Sequence, residues 1–361
     1  MSLDHFVSLG RSGLRVSPLC LGTMTFGPDW GWGSSVEESV AVLERYRAAG
    51  GNFIDTANIY TKGHSEKILG DWFHAHPGVR ERMVLATKFV ATLYPSDPNA
   101  GGAGRKAILA ALEQSLRRLR TDHIDLYWMH AWDRNTPIEE TLQTLDDVVR
   151  AGKVRYIGFS DTPAWKVAQA QTMALLRGWT PLIALQIEYS LLQRTVEGSL
   201  MPAAAELGLG VTPWGPLASG ALSGKFTRAA HGQQQAGRGE WTLNRLTERA
   251  YDIIDELARI AAAHGSTPAR VALAWLRQQP GVTSTILGAR TLAQLDDNIG
   301  SLALTLTPAE LESLGARSKP QLEFPHDFLL GTGSFAYGDT HVDGVANQRR
   351  PFAPASAAEV Y

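Results

Sequence analysis

An eightfold alternation of short apolar runs with longer amphipathic ones constrains this chain more than any other feature. The short runs fall at 19–21, 53–55, 84–87, 124–128, 154–159, 183–187, 209–212 and 283–287. Most lack the period-2 pattern of a half-exposed strand, and continuous apolar character suits strands buried on both faces of a parallel sheet. The longer runs read as helices at 36–49, 66–73, 105–119, 138–150, 165–177, 196–207, 245–264, 268–278 and 292–299. Ser35 and Ser65 stand where N-caps belong, and Ile108, Leu112, Leu116 and Leu119 recur at helical spacing. Eight strands, each followed by helix, predict one α/β (β/α)8 barrel. An open doubly wound sheet would show a GxGxxG turn after its first strand, and Gly22-Thr23-Met24-Thr25-Phe26-Gly27 does not match it.

Two flanking segments and one insertion complete the expected domain. Residues 7–16, centred on Arg11-Ser12-Gly13, read as an N-terminal hairpin closing the barrel bottom. The polar, glycine-rich stretch 227–240 reads as a long mobile or ligand-ordered loop after the seventh strand. The tail 318–361 is expected to pack on the barrel or over its mouth, within a single domain 1–361. Lys+Arg 34 against Asp+Glu 36 argues against a nucleic-acid partner or a polybasic membrane anchor. No apolar run reaches the roughly 18 residues of a membrane span, and the N-terminus shows no secretory h-region, so a cytoplasmic location is expected. One cysteine, Cys20, forbids an intrachain disulfide. His74 and His76 would not face together on a helix, so no metal site is expected.

In such a barrel the chemistry sits at the C-terminal ends of the strands. Asp55 ends the second run, with Tyr60 five residues on; Lys88 follows the third, and His130 the fourth. A tyrosine with an ordinary pKa near 10 is a poor acid–base catalyst at neutral pH. A neighbouring lysine stabilises its phenolate, a carboxylate keeps that lysine charged, and a histidine hydrogen-bonds a substrate oxygen. The set suits protonation of a carbonyl oxygen during reduction.

The surrounding stretches resemble the aldo-keto reductase family: GNFIDTANIY (51–60), GHSEKILG (63–70), ATK (86–88), DLYWMH (125–130), GKVRYIGFS (152–160), LQIEYSLLQR (185–194), TPWGPLASGALSGKF (212–226) and ILGARTLAQLDDN (286–298). The resemblance implies the tetrad Asp55, Tyr60, Lys88 and His130, with NADPH or sometimes NADH as cofactor and no metal. It implies that Ser160 and Gln186 bind the nicotinamide carboxamide and that Trp214 stacks on its ring. Gly22, Thr23, Met24, Asp55 and Asp161 are further expected cofactor contacts of this site. Gly215, Pro216, Leu217, Gly220, Gly224 and Lys225 fall where the pyrophosphate lies. Gly288, Ala289, Arg290 and Gln294 fall at the adenosine 2′-phosphate, with Asp297 and Asn298 facing the adenine. Two positions depart from the family pattern. Asp161 stands where many members have Asn, and Gly288-Ala289 where many have Lys-Ser. Arg290 remains as the phosphate ligand.

Phe26, Trp30, Trp32, Tyr94, Trp128 and Trp132 are expected near the mouth; Phe26, Trp30 and Trp132, with Tyr60 and His130, are the candidate substrate contacts. The expected partner is a small carbonyl or alcohol, and a monomer is the default. Two other readings stay open. One is a redox-sensing regulatory subunit that binds the cofactor and turns over slowly. The other is a hydrolase using paired carboxylates about 5–9 Å apart, drawn from Asp55, Asp161 and Glu188.

Overall fold

The computed structural model describes residues 1–230 and 239–361. Residues 231–238, within the expected long loop, lie outside the described residues. Eight parallel strands run in chain order around a barrel: β1 (Leu19–Gly22), β2 (Phe53–Asp55), β3 (Val84–Phe89), β4 (Ile124–Met129), β5 (Val154–Ser160), β6 (Leu182–Glu188), β7 (Gly210–Trp214) and β8 (Thr285–Gly288). β8 pairs with β1, and the bridge between Val211 and Val282 brings β7 against β8. The (β/α)8 barrel predicted from the alternation is the observed fold.

Both strand faces are buried, for different reasons. Leu126 and Trp128 of β4 point into the barrel with Cys20, Phe53, Ala86 and Ala184, while Tyr127 and Met129 face the helices. Trp128 fits inside because β5 carries Gly158, where a Cβ would lie 2.4 Å from the indole. The hairpin Val7–Ser8 with Arg15–Val16 forms as expected and seals the bottom: Leu9 is buried in the same inner cluster.

The helices follow their strands: α1 (Val36–Ala48), α2 (His64–Ala75), α3 (Arg105–Leu119), α4 (Ile138–Arg150), α5 (Ala164–Arg177), α6 (Leu200–Leu207), α7 (Glu240–Leu243), α8 (Glu248–Ala263), α9 (Pro268–Arg277) and α10 (Leu292–Gly300). Ser35 caps α1 in a capping box with Glu38. Ser65 is not a cap. It lies inside α2, which starts after Gly63, and its hydroxyl donates to the Thr23 carbonyl at 2.8 Å. The single helix expected over 196–207 is two pieces, a 3-10 turn Thr195–Glu197 and then α6. Pro202 has no N–H for an interior helical bond, so α6 starts late enough to hold it in the first turn.

From residue 318 the chain forms two short helices, His326–Leu329 and Thr332–Ala336, and a hairpin Thr340–Val342 with Val345–Asn347. Its start is tied down by Arg194, which donates to Ser318 Oγ at 2.7 Å. Among the described residues no helix is long and apolar enough to cross a membrane.

Candidate active site

The parallel register sets Asp55 beside Gly22 and Ala86, and Ser160 beside Gln186, at one end of the barrel. Tyr60 comes from the turn after β2, which has three consecutive left-handed residues, Thr61, Lys62 and Gly63, at φ 46°, 61° and 90°. That conformation is strained for a β-branched residue. The Thr61 hydroxyl compensates locally, donating to the Phe26 carbonyl at 2.8 Å and accepting from Ser65 N–H at 2.9 Å.

Lys88 is fully buried below Tyr60. Its ammonium has three hydrogens and three acceptors: Asp55 Oδ2, the Thr56 carbonyl at 3.0 Å and Tyr60 Oη at 3.0 Å. Asp55 Oδ1 accepts from Gln186 Nε2 at 3.0 Å. Tyr60 Oη is therefore an acceptor toward Lys88, which leaves its own hydrogen to point elsewhere. The His130 ring stands edge-on to Tyr60, with centroids 5.9 Å apart.

Burial governs the protonation states. It pushes the Tyr60 phenol above its ordinary pKa, and Lys88 opposes that shift without overcoming it. The expected depression of the phenol is thus present as a contribution but loses to desolvation. Burial pushes Lys88 down, but Asp55 and Tyr60 more than offset it and hold the ammonium charged. Burial, then Lys88, lowers His130 to about 3, so the imidazole is neutral at pH 7. Tyr60 at neutral pH is a phenol backed by a fixed cation, a group able to give up a proton.

A cavity of about 1390 Å³ opens over this cluster. Its wall includes Gly22, Met24, Trp30, Asp55, Tyr60, His130, Ser160, Asp161, Gln186, Trp214, Gly215, Pro216, Leu217, Gly220, Lys225, Gly288, Arg290, Gln294, Asp297 and Asn298. Other expected residues stand back from it. Thr23 and Ala289 are buried, their carbonyls accepting from Ser65 and Thr25. Phe26 belongs to the outer core, since the tight turn after β1 folds its ring inward. Gly224 lies against Pro268. Trp132 packs on the core with the Lys166 ammonium 4.9 Å from its ring, Trp128 fills the barrel interior, and Tyr94 is exposed. Trp32 does line the cavity, 5.5 Å from Trp30.

Sequence reasoning missed the segment 239–247. Trp241, Thr242, Asn244 and Arg245 wall the cavity. Thr242 Oγ1 donates to the Ser219 carbonyl at 2.8 Å, and Arg245 pairs with Glu188 at 2.6 Å. The one signal was an apolar Trp-Thr-Leu island after the glycine-rich stretch, too short for helical periodicity to show. Asp55, Asp161 and Glu188 are each engaged, by Lys88 and Gln186, by Trp214 and by Arg245 respectively. That arrangement does not favour hydrolysis by paired carboxylates.

The wall fits an extended dinucleotide. Ser223 Oγ is buried in it with no hydrogen-bond partner, which is unusual for a buried hydroxyl. Gly215, Ala218, Ser219 and Gly220 all have positive φ, a backbone form that turns amides toward an anion. A Cβ at Gly220 or Gly288 would meet no atom within 4 Å, so the backbone is open to close approach. Arg290 stands at the far end, its backbone N–H held by Gln294 Oε1 at 2.9 Å and its guanidinium donating to the Trp32 carbonyl at 3.3 Å.

Asp55, Tyr60, Lys88 and His130 thus meet at the mouth of a parallel barrel, beside a long open groove. The Aldo/keto reductase family model matches residues 18–317, and the chain belongs to that family. It is 40% identical over 319 residues to uncharacterized oxidoreductase YrpG of Bacillus subtilis (strain 168), covering 86% of this chain and 94% of the relative. It is 37% identical over 334 residues to norsolorinic acid reductase stcV of Emericella nidulans, covering 90% and 84%. It is 33% identical over 345 residues to an aryl-alcohol dehydrogenase (NADP(+)) of Phanerodontia chrysosporium, covering 89% and 87%. The protein is an oxidoreductase of the carbonyl-reducing kind.

Proposed function

We propose that the protein is an NADPH-dependent reductase of aldehydes or ketones with an aromatic body, and that it also runs in reverse as an alcohol dehydrogenase. The observation that carries this reading is the direction of one hydrogen bond: Tyr60 Oη accepts from Lys88, so its own proton is left for a substrate oxygen. NADPH would supply the hydride. Tyr60 donates the proton to the carbonyl oxygen, Lys88 stabilises the phenolate that forms, and Asp55 holds Lys88 in place. Neutral His130 donates a hydrogen bond to the same oxygen.

Ser160 and Gln186 would hold the carboxamide, and Trp214 the nicotinamide face. The backbone of 215–220, with Lys225, would hold the pyrophosphate. Arg290 would take the 2′-phosphate, with Asp297 and Asn298 near the adenine. NADH, lacking that phosphate, would bind more weakly. The aromatic preference rests on Trp30 and Trp32 beside Tyr60 and on the relatives named for norsolorinic acid and aryl alcohols. The proposed form is a cytoplasmic monomer, one barrel domain over 1–361 with 318–361 as its tail.

Tyr60→Phe tests the reading. The phenylalanine ring keeps the contacts with Trp30 and His130 but carries no proton. NADPH affinity should persist while kcat for an aryl aldehyde falls about 10²- to 10⁴-fold. Unchanged turnover would remove Tyr60 as the donor.

A further inference from the structure

We propose that Asp161 is a positioning residue whose carboxylate tethers the Trp214 indole, fixing the ring plane that walls the nicotinamide pocket. The proposal rests on the cofactor assignment made above. Trp214 ends β7 and is followed by Gly215 at φ 64°, so the chain beyond it does little to hold the ring. Its indole Nε1 donates to Asp161 Oδ1 at 3.0 Å. Nε1 lies on the ring edge away from Cβ, so a bond there resists rotation about Cβ–Cγ. Without it, the half-buried ring is free to tilt into the cavity it lines.

Asp161 is itself held firmly. It directly follows β5 in the left-handed region at φ 42°, a conformation that short polar residues tolerate better than most. Its backbone N–H donates to the Gln186 carbonyl at 3.1 Å. The tether therefore anchors Trp214 to the strand ends that carry Ser160 and Gln186, placing both carboxamide ligands and the stacking ring on one rigid frame.

Glu188 is the register partner of Trp214, but it is engaged by Arg245. That leaves Asp161 as the indole's acceptor. A carboxylate suits the task because it only accepts, whereas an amide can present its NH₂ to the indole instead. It also makes the tether sensitive to pH. Asp161 keeps an exposed edge at the cavity mouth, yet the protein packed around it displaces enough water to raise its carboxyl to about 6; Glu188 adds to the rise, while the Trp214 bond, Ser160 and Lys88 oppose it. Tyr60 and His130 share the cavity, the first uncharged because its pKa is raised and the second because its pKa is depressed. Below about pH 6 the carboxyl takes up a proton, its acceptor strength falls and the tether loosens.

The test compares NADPH binding, followed by tryptophan quenching, in the wild type, Asp161→Ala, Asp161→Asn, Trp214→Phe and the double variant Asp161→Ala/Trp214→Phe. Losing one such hydrogen bond should raise the Kd for NADPH about 3- to 10-fold in Asp161→Ala. Asp161→Asn, which keeps an oxygen for the indole, should recover most of the affinity and lose the acid limb near pH 6 that the Asp161 carboxyl is expected to give the wild type. In Trp214→Phe, which has no N–H to tether, Asp161→Ala should change nothing further. The same loss in both backgrounds would overturn the tether, as would an unchanged Kd in Asp161→Ala while the wild type binds NADPH. A wild type that binds no NADPH would overturn the cofactor assignment itself, and the tether's purpose with it.

Discussion

Replacing Lys88 with methionine separates what the buried cation does for the fold from what it does for the reaction. Methionine fills a similar volume but leaves Asp55 Oδ2, the Thr56 carbonyl and Tyr60 Oη without their donor. Breaking a buried ion pair by removing one partner costs about 3–5 kcal/mol, chiefly because the remaining charge is uncompensated. Among the described residues the Asp55 carboxylate would keep only the Gln186 amide. Urea unfolding should register that loss, and adding Asp55→Asn should restore much of it by removing the stranded charge. Turnover should behave differently. The bond from Lys88 to Tyr60 Oη strengthens as the phenolate forms, and a hydrogen bond to a charged group contributes about 1.5–3 kcal/mol. At 1.36 kcal/mol per decade, kcat falls about 10- to 160-fold, and the double variant does not regain it. On the proposed mechanism the alkaline limb of kcat/KM reports loss of the Tyr60 proton. A cation favours the phenolate, so its removal must move that limb to higher pH. The assay is aryl-aldehyde-dependent NADPH oxidation across the pH range. An unchanged kcat, or a limb that stays put or moves down, would refute the coupling.

Arg290→Ala should weaken NADPH about 10- to 100-fold while leaving NADH little changed, since one charge-assisted contact to the 2′-phosphate is lost; equal losses in paired titrations would place the guanidinium's role elsewhere. His130 is held at about 3, below its unfolded value near 6.5, so the unfolded chain binds the extra proton and stability falls as pH drops through that window. At pH 5 the cost is about 2 kcal/mol, and His130→Gln should flatten that part of the stability–pH curve in urea titrations. Gly70→Ala should destabilise by about 1–3 kcal/mol and lower Tm, because a Cβ there would lie 2.0 Å from the Arg118 carbonyl where α2 crosses α3.

The barrel was legible because its signal is repeated. Eight short apolar runs and their intervening helices constrain one another, and errors of a few residues at 65 or 196 do not change the count. That Asp55, Tyr60, Lys88 and His130 would meet was legible through strand ends and motif context. Which aromatic residue faces which way was not. In a strand buried on both sides, Trp128 and Tyr127 look alike, and only the space left by Gly158 decides which enters the barrel. The direction of the Tyr60 shift was also hidden. The sequence names the lysine that lowers the pKa but not the burial that raises it. The wall from 239–247 depends on contacts such as Arg245 with Glu188, 57 positions apart, which no local pattern encodes.

The loop from Gly27 to Ser34 bears Trp30 and Trp32 yet is fastened to the barrel mainly near its ends. Gly27 N–H donates to the Ser34 carbonyl, Ser34 Oγ to the Arg290 carbonyl, and Asp29 pairs with His64 at 2.7 Å. Tyr60 and Lys88 sit elsewhere, on the turn after β2 and on β3. On the proposed function, much of recognition and the proton transfer are carried by different parts of the chain. If Trp30 and Trp32 meet the substrate, exchanging this short segment while keeping Asp29, Ser34 and the close-packed Gly33 would change what is bound and leave Tyr60 and Lys88 in place.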